Sequence, residues 1–216
     1  LTVYALQIYR PDKSVAPALR VFVVTTVSGF LCYLLYPVSG PLYFLGSAYP
    51  SSSSAAVSAL HAVDFAPTWR NGMPSIHFSV ALLMFINVPR GMRWAKTAFL
   101  AFCLLTLAAT MGNGEHYFVD ILSALPFACA VQAFCLWLNP QGDKELLFVY
   151  LRSSSVFVAF LALLVVAPTW AFTMIGAWCA TTLLFAHFLF ERWRMWQLYS
   201  SPIATENGLD GALEPL

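Results

Sequence analysis

Two short stretches of this chain gather the residue types that can do acid–base or nucleophilic chemistry. One is Arg70-Asn71-Gly72-Met73-Pro74-Ser75-Ile76-His77, and the other is Gly112-Asn113-Gly114-Glu115-His116-Tyr117-Phe118-Val119-Asp120. His116 and Asp120 are four apart, so on a helix they share a face with Cβ atoms roughly 6 Å apart. A carboxylate that holds one imidazole nitrogen fixes the tautomer and raises the basicity of the other. A nucleophilic histidine needs that arrangement. Glu115 points about 100° away from His116 on an ideal helix and is the weaker candidate. In the first stretch Gly72 allows close backbone approach, and Pro74 suits the first turn of a helix. The unpaired N–H groups at a helix start bind anions, and the Ser75 hydroxyl and the Arg70 fork extend that cradle. His77, one turn in, is placed to donate a proton.

Each of these residues also has a plainer reading. His116 and Asp120 can form a capping pair, Ser75 can serve as an N-cap, and Arg70 can snorkel to lipid headgroups. The co-occurrence of the two stretches favours the chemical reading. For His61 and Asp64 the ordinary loop reading prevails, and His187 reads as structural. The aromatic clusters read as interface belts and helix packing.

The elements that must carry these residues follow from composition. The 216 residues are 60% hydrophobic and only 10% charged, with a mean hydropathy of +0.73. Soluble domains are about 25% charged, so the chain is expected to be an integral, multi-pass membrane protein. The fold class expected is all-α, a polytopic transmembrane bundle. The net charge of +1 gives no sign of a nucleic-acid partner. The five cysteines form no CxxC pair and read as small core residues.

A spanning helix needs about 20 apolar residues. Six candidates run from Arg20 to Tyr43, from Pro74 or Ser75 to Val88, from Ala95 to Met111, from His116 to Leu138, from Val156 to Ala167 and from Thr173 to Phe190. The last two flank Pro168, and one bent unit there reduces the count to five. Ala55 to Val63 reads as a short interfacial helix. Residues 1–199 make a single transmembrane catalytic domain, with a disordered tail over 200–216. The chain opens at Leu1 without a secretory leader pattern, and the reading allows for a further helix upstream.

Six spans place every lysine and arginine except Arg70 on one side, which the positive-inside rule makes cytoplasmic. The other side receives His61, Asp64, Arg70, Ser75, His77, Asn113, Glu115, His116 and Asp120. Ionisable groups near a bilayer are costly and usually functional. The expected active site therefore faces the non-cytoplasmic side.

These motifs carry a resemblance. Pro74-Ser75-Ile76-His77 resembles the second signature of the type 2 phosphatidic acid phosphatase superfamily, and His116-Tyr117-Phe118-Val119-Asp120 resembles the third. The resemblance covers about the middle half of the chain, from Tyr36 to Leu125. It implies a metal-independent site in a helical bundle, without a cofactor. His116 would attack phosphorus to form a phosphohistidine, and Asp120 would support it. His77 would protonate the leaving oxygen, and Ser75 would help hold the phosphate. The first signature of the phosphatase branch is not matched: Arg10-Pro11 lacks its lysine and falls on the wrong face. Thr110 stands where that branch has an arginine. Both departures look more like the inositolphosphotransferase branch, which includes inositol phosphorylceramide synthases. Tyr36-Pro37-Val38-Ser39-Gly40-Pro41-Leu42-Tyr43 resembles that branch's upstream motif. Arg70 is the candidate to supply the missing charge, beside Gly72.

The function expected is phosphotransfer or hydrolysis on a lipid phosphate or phosphodiester. The partners are membrane lipids, a lipid phosphoester substrate and an alcohol or lipid acceptor. A lipid phosphate phosphatase is the close alternative. A transporter or proton relay is the distant one; it predicts polar residues along several helix midplanes. A metalloenzyme built on His61, His77, His116 and Asp120 lacks any close-spaced ligand set such as HExxH.

Overall fold

The structure is a computed structural model that describes residues 1–12, 14–35, 40–41, 73–139, 143–167 and 173–200. Among these the elements are all helical: α1 (Thr2–Tyr9), α2 (Ala18–Leu35), α3 (Ile76–Ile86), α4 (Arg93–Gly112), α5 (Phe118–Trp137), α6 (Lys144–Val166) and α7 (Met174–Ser200). Five of them, α2, α4, α5, α6 and α7, are long and apolar enough to cross a membrane. The polytopic helical bundle expected from composition is what forms. Arg70, Gly72, His61, Asp64, the stretch Ala55 to Val63 and the tail beyond Ser200 lie outside the described residues. So does the Tyr36–Tyr43 motif, apart from Gly40 and Pro41.

The second expected span is realised as a half-length helix. At 1.5 Å per residue α3 is about 16 Å long, against a hydrocarbon core of about 30 Å. The helix stops at Asn87, which caps it through an N–H bond to the Leu83 carbonyl.

α5 is the hub of the bundle. It is almost wholly buried, whereas the other four long helices expose most of their surface. It packs against α2, α3, α6 and α7. Its sequence allows this because small residues recur all round it: Ser123, Ala124, Ala128, Cys129, Ala133 and Cys135 are all buried. Small side chains let neighbouring backbones approach closely, which is how helices associate in lipid. The outer helices leave large apolar side chains exposed, among them Phe22, Phe30, Leu105, Val158 and Leu183. Those are the surfaces a bilayer would cover.

The last two helices are separate, but their bounds differ from the sequence expectation. α6 begins at Lys144, not near Val156. The Asp143 side chain caps it, accepting the Glu145 N–H at 2.9 Å. Arg152, the charge that delays a hydropathy reading, is held on α6 by Glu191 of α7. Both Glu191 oxygens accept, Oε2 from the Arg152 Nη2 at 2.6 Å. α7 in turn runs past Phe190, and its Arg194 pairs with Glu145 at 2.5 Å. Arg152, Arg192 and Arg194 thus sit on helices and not in loops. The Arg152–Glu191 and Arg194–Glu145 pairs between two antiparallel helices offset the penalty that isolated charges would carry there.

The bundle interior is also more polar than expected away from the histidine motifs. Asn87 and Gln132 exchange two amide hydrogen bonds, at 2.6 and 3.0 Å. Asn87 Oδ1 also accepts the Ala16 N–H at 2.7 Å. Gln7 donates to the Asn87 carbonyl at 3.0 Å and to the Ala16 carbonyl at 2.9 Å. This network locks the segment before α2 onto the end of α3 and onto α5. The described lysines and arginines all lie toward that end of the bundle, where α3 finishes and α4 begins. The two histidine motifs lie at the other end.

Candidate active site

His116 is presented by a turn that its own sequence builds. α4 ends at Gly112, with Asn113 as C-cap and Gly114 next, at φ +69°. An L side chain rarely tolerates that conformation, so a glycine belongs there. The Gly114 N–H donates to the Met111 carbonyl at 3.1 Å and the Glu115 N–H to the Thr110 carbonyl at 3.2 Å. These two bonds define a Schellman turn. The Thr110 carbonyl also accepts the His116 N–H at 3.3 Å. The Gly112-Asn113-Gly114 run thereby stops one helix and aims the next residue pair.

α5 then starts at Phe118, with Tyr117 as N-cap and Asp120 at the third helical position. This corrects the expected origin of the His116–Asp120 pair. His116 lies in the loop, not on the helix. The two meet because a carboxylate at that position reaches back over the helix start, as in a capping box. Asp120 Oδ2 accepts the Tyr117 N–H at 2.9 Å and faces His116 Nδ1 at 3.1 Å. Both side chains are fully buried. His116 Nε2 and Asp120 Oδ1 have no hydrogen-bond partner among the described residues. With Nδ1 carrying the proton toward the carboxylate, Nε2 holds a free lone pair.

The other motif is stitched to this one through the backbone. The Ser75 N–H donates to the Asp120 carbonyl at 3.2 Å. Ser75 is the N-cap of α3, accepting the Phe78 N–H at 3.4 Å, and it is buried. Pro74 lies one residue outside the helix, not in its first turn, and the Met73–Pro74 peptide bond is cis. His77 is exposed, and its ring centroid is 6.4 Å from that of His116, the planes inclined at 66°. Ser75, His77, His116 and Asp120 are therefore brought together. Glu115 stays in the loop.

Two helix starts converge here, α3 and α5. Each carries roughly half a positive charge from the aligned peptide dipoles. The N–H of Ile76 is taken by the Tyr33 hydroxyl of α2 at 3.3 Å. Sequence reasoning missed Tyr33, because nothing in its local pattern distinguishes it from an ordinary aromatic in a span. Gly40 is the second contact from upstream. A Cβ there would collide with the Glu115 carbonyl and lie 2.9 Å from the Gly114 carbonyl oxygen. Gly40 thus lies directly against the turn that presents His116.

Thr110, at the position where an arginine was noted as missing, is buried. Its hydroxyl donates within its own helix, to Thr106 and Leu107 carbonyls at 2.9 and 3.1 Å. Arg10-Pro11 lies at the far end, next to Asp12, whose carboxylate accepts the Arg90 N–H at 2.8 Å. His187 contacts Ser153 at 3.2 Å and lies 3.8 Å from Glu191, also remote from the site. Among the described residues no three His, Cys, Asp or Glu side chains are grouped as metal ligands.

A family model described as the PAP2 superfamily matches residues 1–134, a span that includes both histidine motifs. The chain belongs to the PAP2 superfamily. No curated protein and no solved structure matches it. Membership places the chain among proteins that act on phosphate esters as phosphatases or phosphotransferases.

Proposed function

We propose that this PAP2-superfamily protein transfers the phosphoryl group of a lipid phosphoester through a phosphohistidine on His116. The observation that carries the reading is the buried His116–Asp120 pair, with Nδ1 held at 3.1 Å and Nε2 left without a partner.

In the first step the Nε2 lone pair attacks phosphorus, the Nε2–P bond forms and the P–O bond to the lipid alcohol breaks. His77, protonated, gives its proton to the departing oxygen. Asp120 stabilises the positive charge that His116 acquires. In the second step the acceptor hydroxyl gives its proton to His77 and attacks phosphorus, and the Nε2–P bond breaks. Ring centroids 6.4 Å apart leave space for a phosphoryl group between nucleophile and acid. The starts of α3 and α5 favour the phosphate charge, with Ser75, Gly72 and Arg70 as the proposed cradle. No step calls on a metal ion. Thr110 in place of an arginine, and Gly40 against the His116 turn, support the inositolphosphotransferase-like reading, with a lipid alcohol as acceptor. The basic residues at the opposite end support a non-cytoplasmic active site.

The test uses purified protein with defined phospholipids, with and without an alcohol acceptor, in the presence of a chelator. The expected result is chelator-resistant transfer and an acid-labile phosphohistidine at His116, detected by mass spectrometry. In His77→Ala a nitrophenyl ester, which needs little proton donation, should still label His116 while turnover stalls. Labelling on Ser75, or labelling that survives His116→Ala, overturns the assignment. Product only in water, with no transfer to any alcohol, makes the protein a lipid phosphatase.

A further inference from the structure

A cavity of about 270 Å³ opens at the end of the bundle away from the histidines, and its walls are basic. Arg90 from the α3–α4 connection, Lys96 from α4 and Arg192 from α7 line it, with Gln132 of α5 and Trp196 of α7. Gln132 lies about 18 Å along α5 from Asp120 at 1.5 Å per residue, so this is not the catalytic pocket.

Lys96 and Arg192 come from separate elements and repel one another unless something offsets them. The nearby carboxylates are already engaged. Asp12 accepts the Ser14 N–H at 2.9 Å, the Ser14 hydroxyl at 2.5 Å and the Arg90 N–H at 2.8 Å. Burial pushes its carboxyl up, but those hydrogen bonds and the Arg90 charge outweigh it and hold the group below its ordinary value. Glu191, adjacent to Arg192, is taken by Arg152. Lys96 Nζ sits 5.7 Å above the Phe85 ring. Neither Lys96 nor Arg192 has a carboxylate within ion-pair distance among the described residues. The Gln132–Asn87 amide pair fixes the neighbouring wall. The volume falls just below the roughly 300–1,000 Å³ of small-molecule sites, so it suits a headgroup rather than a whole lipid.

We propose that Arg90, Lys96 and Arg192 form a second anion site, which binds a phosphate group from an acidic lipid headgroup or from free phosphate. Basic pockets between helices near a membrane face recognise such groups through charge-assisted hydrogen bonds. The site is separate from the phosphotransfer chemistry and does not rest on it.

The test is thermal unfolding of purified protein in neutral detergent, in a His116→Ala background so that the probe is not consumed. The probes are short-chain phosphatidic acid, short-chain phosphatidylcholine and inorganic phosphate. A ligand at about 100 times its Kd should raise Tm by about 5–10 °C. Phosphatidic acid should do so and phosphatidylcholine should not. Adding Lys96→Gln and Arg192→Gln should weaken the effect at least about tenfold, and Lys96→Arg, which keeps the positive charge, should preserve it. Should the double replacement not fold, Lys96→Gln alone gives the same test, because that ammonium makes no hydrogen bond or ion pair among the described residues. Stabilisation by phosphatidic acid but not by inorganic phosphate assigns the site to a lipid headgroup. Equal response to both assigns it to free phosphate. No response to either probe, an undiminished response in Lys96→Gln, or equal stabilisation by phosphatidylcholine overturns the site.

Discussion

Replacing Asp120 with Asn separates a helix cap from a catalytic carboxylate. Asp120 Oδ2 accepts from Tyr117 N–H and faces His116 Nδ1, while Oδ1 is buried without a partner. An asparagine can keep its oxygen in the Oδ2 place. Its NH2 group then occupies the Oδ1 place and is buried unsatisfied, at a cost of about 1–3 kcal/mol. In the flipped orientation the NH2 group opposes the Tyr117 N–H and asks His116 Nδ1 to accept. The proton then moves to Nε2 and blocks the lone pair that would attack. Either way the negative charge that stabilises an imidazolium is gone. Comparable losses of a histidine's carboxylate partner elsewhere cost about 10⁴-fold in kcat. We expect a fall of about 10³–10⁴-fold in single-turnover phosphoenzyme formation. Three decades correspond to about 4 kcal/mol, more than the destabilisation. The assay pairs quenched-flow labelling with a Tm measurement on the same preparation. If Tm falls but the labelling rate stays within about tenfold, Asp120 is only a cap, and the nucleophile assignment loses its main support.

Four further outcomes follow from the fold. Gly114→Ala forces a side chain into φ +69° at a cost of about 1 kcal/mol, and should lower kcat more than it changes KM; unaltered kcat would mean the turn does not set His116. Gly40→Ala drives a Cβ into the Glu115 carbonyl, so activity should fall while a milder Tm loss is seen; full activity would detach the upstream motif from the site. Arg152→Ala should destabilise more than Glu191→Ala. The first strands a fully buried carboxylate, worth about 3–5 kcal/mol, whereas Arg152 is itself 38% exposed and can turn toward water; the reverse order in denaturation midpoints would refute this. In a cysteine-free background, cysteines at Asn113 and Lys144, both exposed, should label from opposite sides of the membrane, and labelling from one side sinks the topology.

The membrane class and both histidine motifs were legible in the sequence, because each rests on local information. Apolar runs of spanning length and a Pro-Ser-x-His beside a His-x₃-Asp need no tertiary knowledge. The Gly112-Asn113-Gly114 run likewise encodes its own helix stop, through a backbone conformation that glycine alone adopts easily. Three features required the fold. The His116–Asp120 contact arises from a carboxylate reaching over a helix start, so spacing alone gave the right partners by the wrong geometry. The starts of α6 and the end of α7 were misplaced because a charge on one helix is tolerated only when its partner on another helix is known, and Arg152 and Glu191 are far apart in sequence. Tyr33, Gly40 and the basic cavity of Arg90, Lys96 and Arg192 belong to the same class. Their positions depend on which helices surround α5, and a chain read one residue at a time does not contain the long-range packing that brings them together.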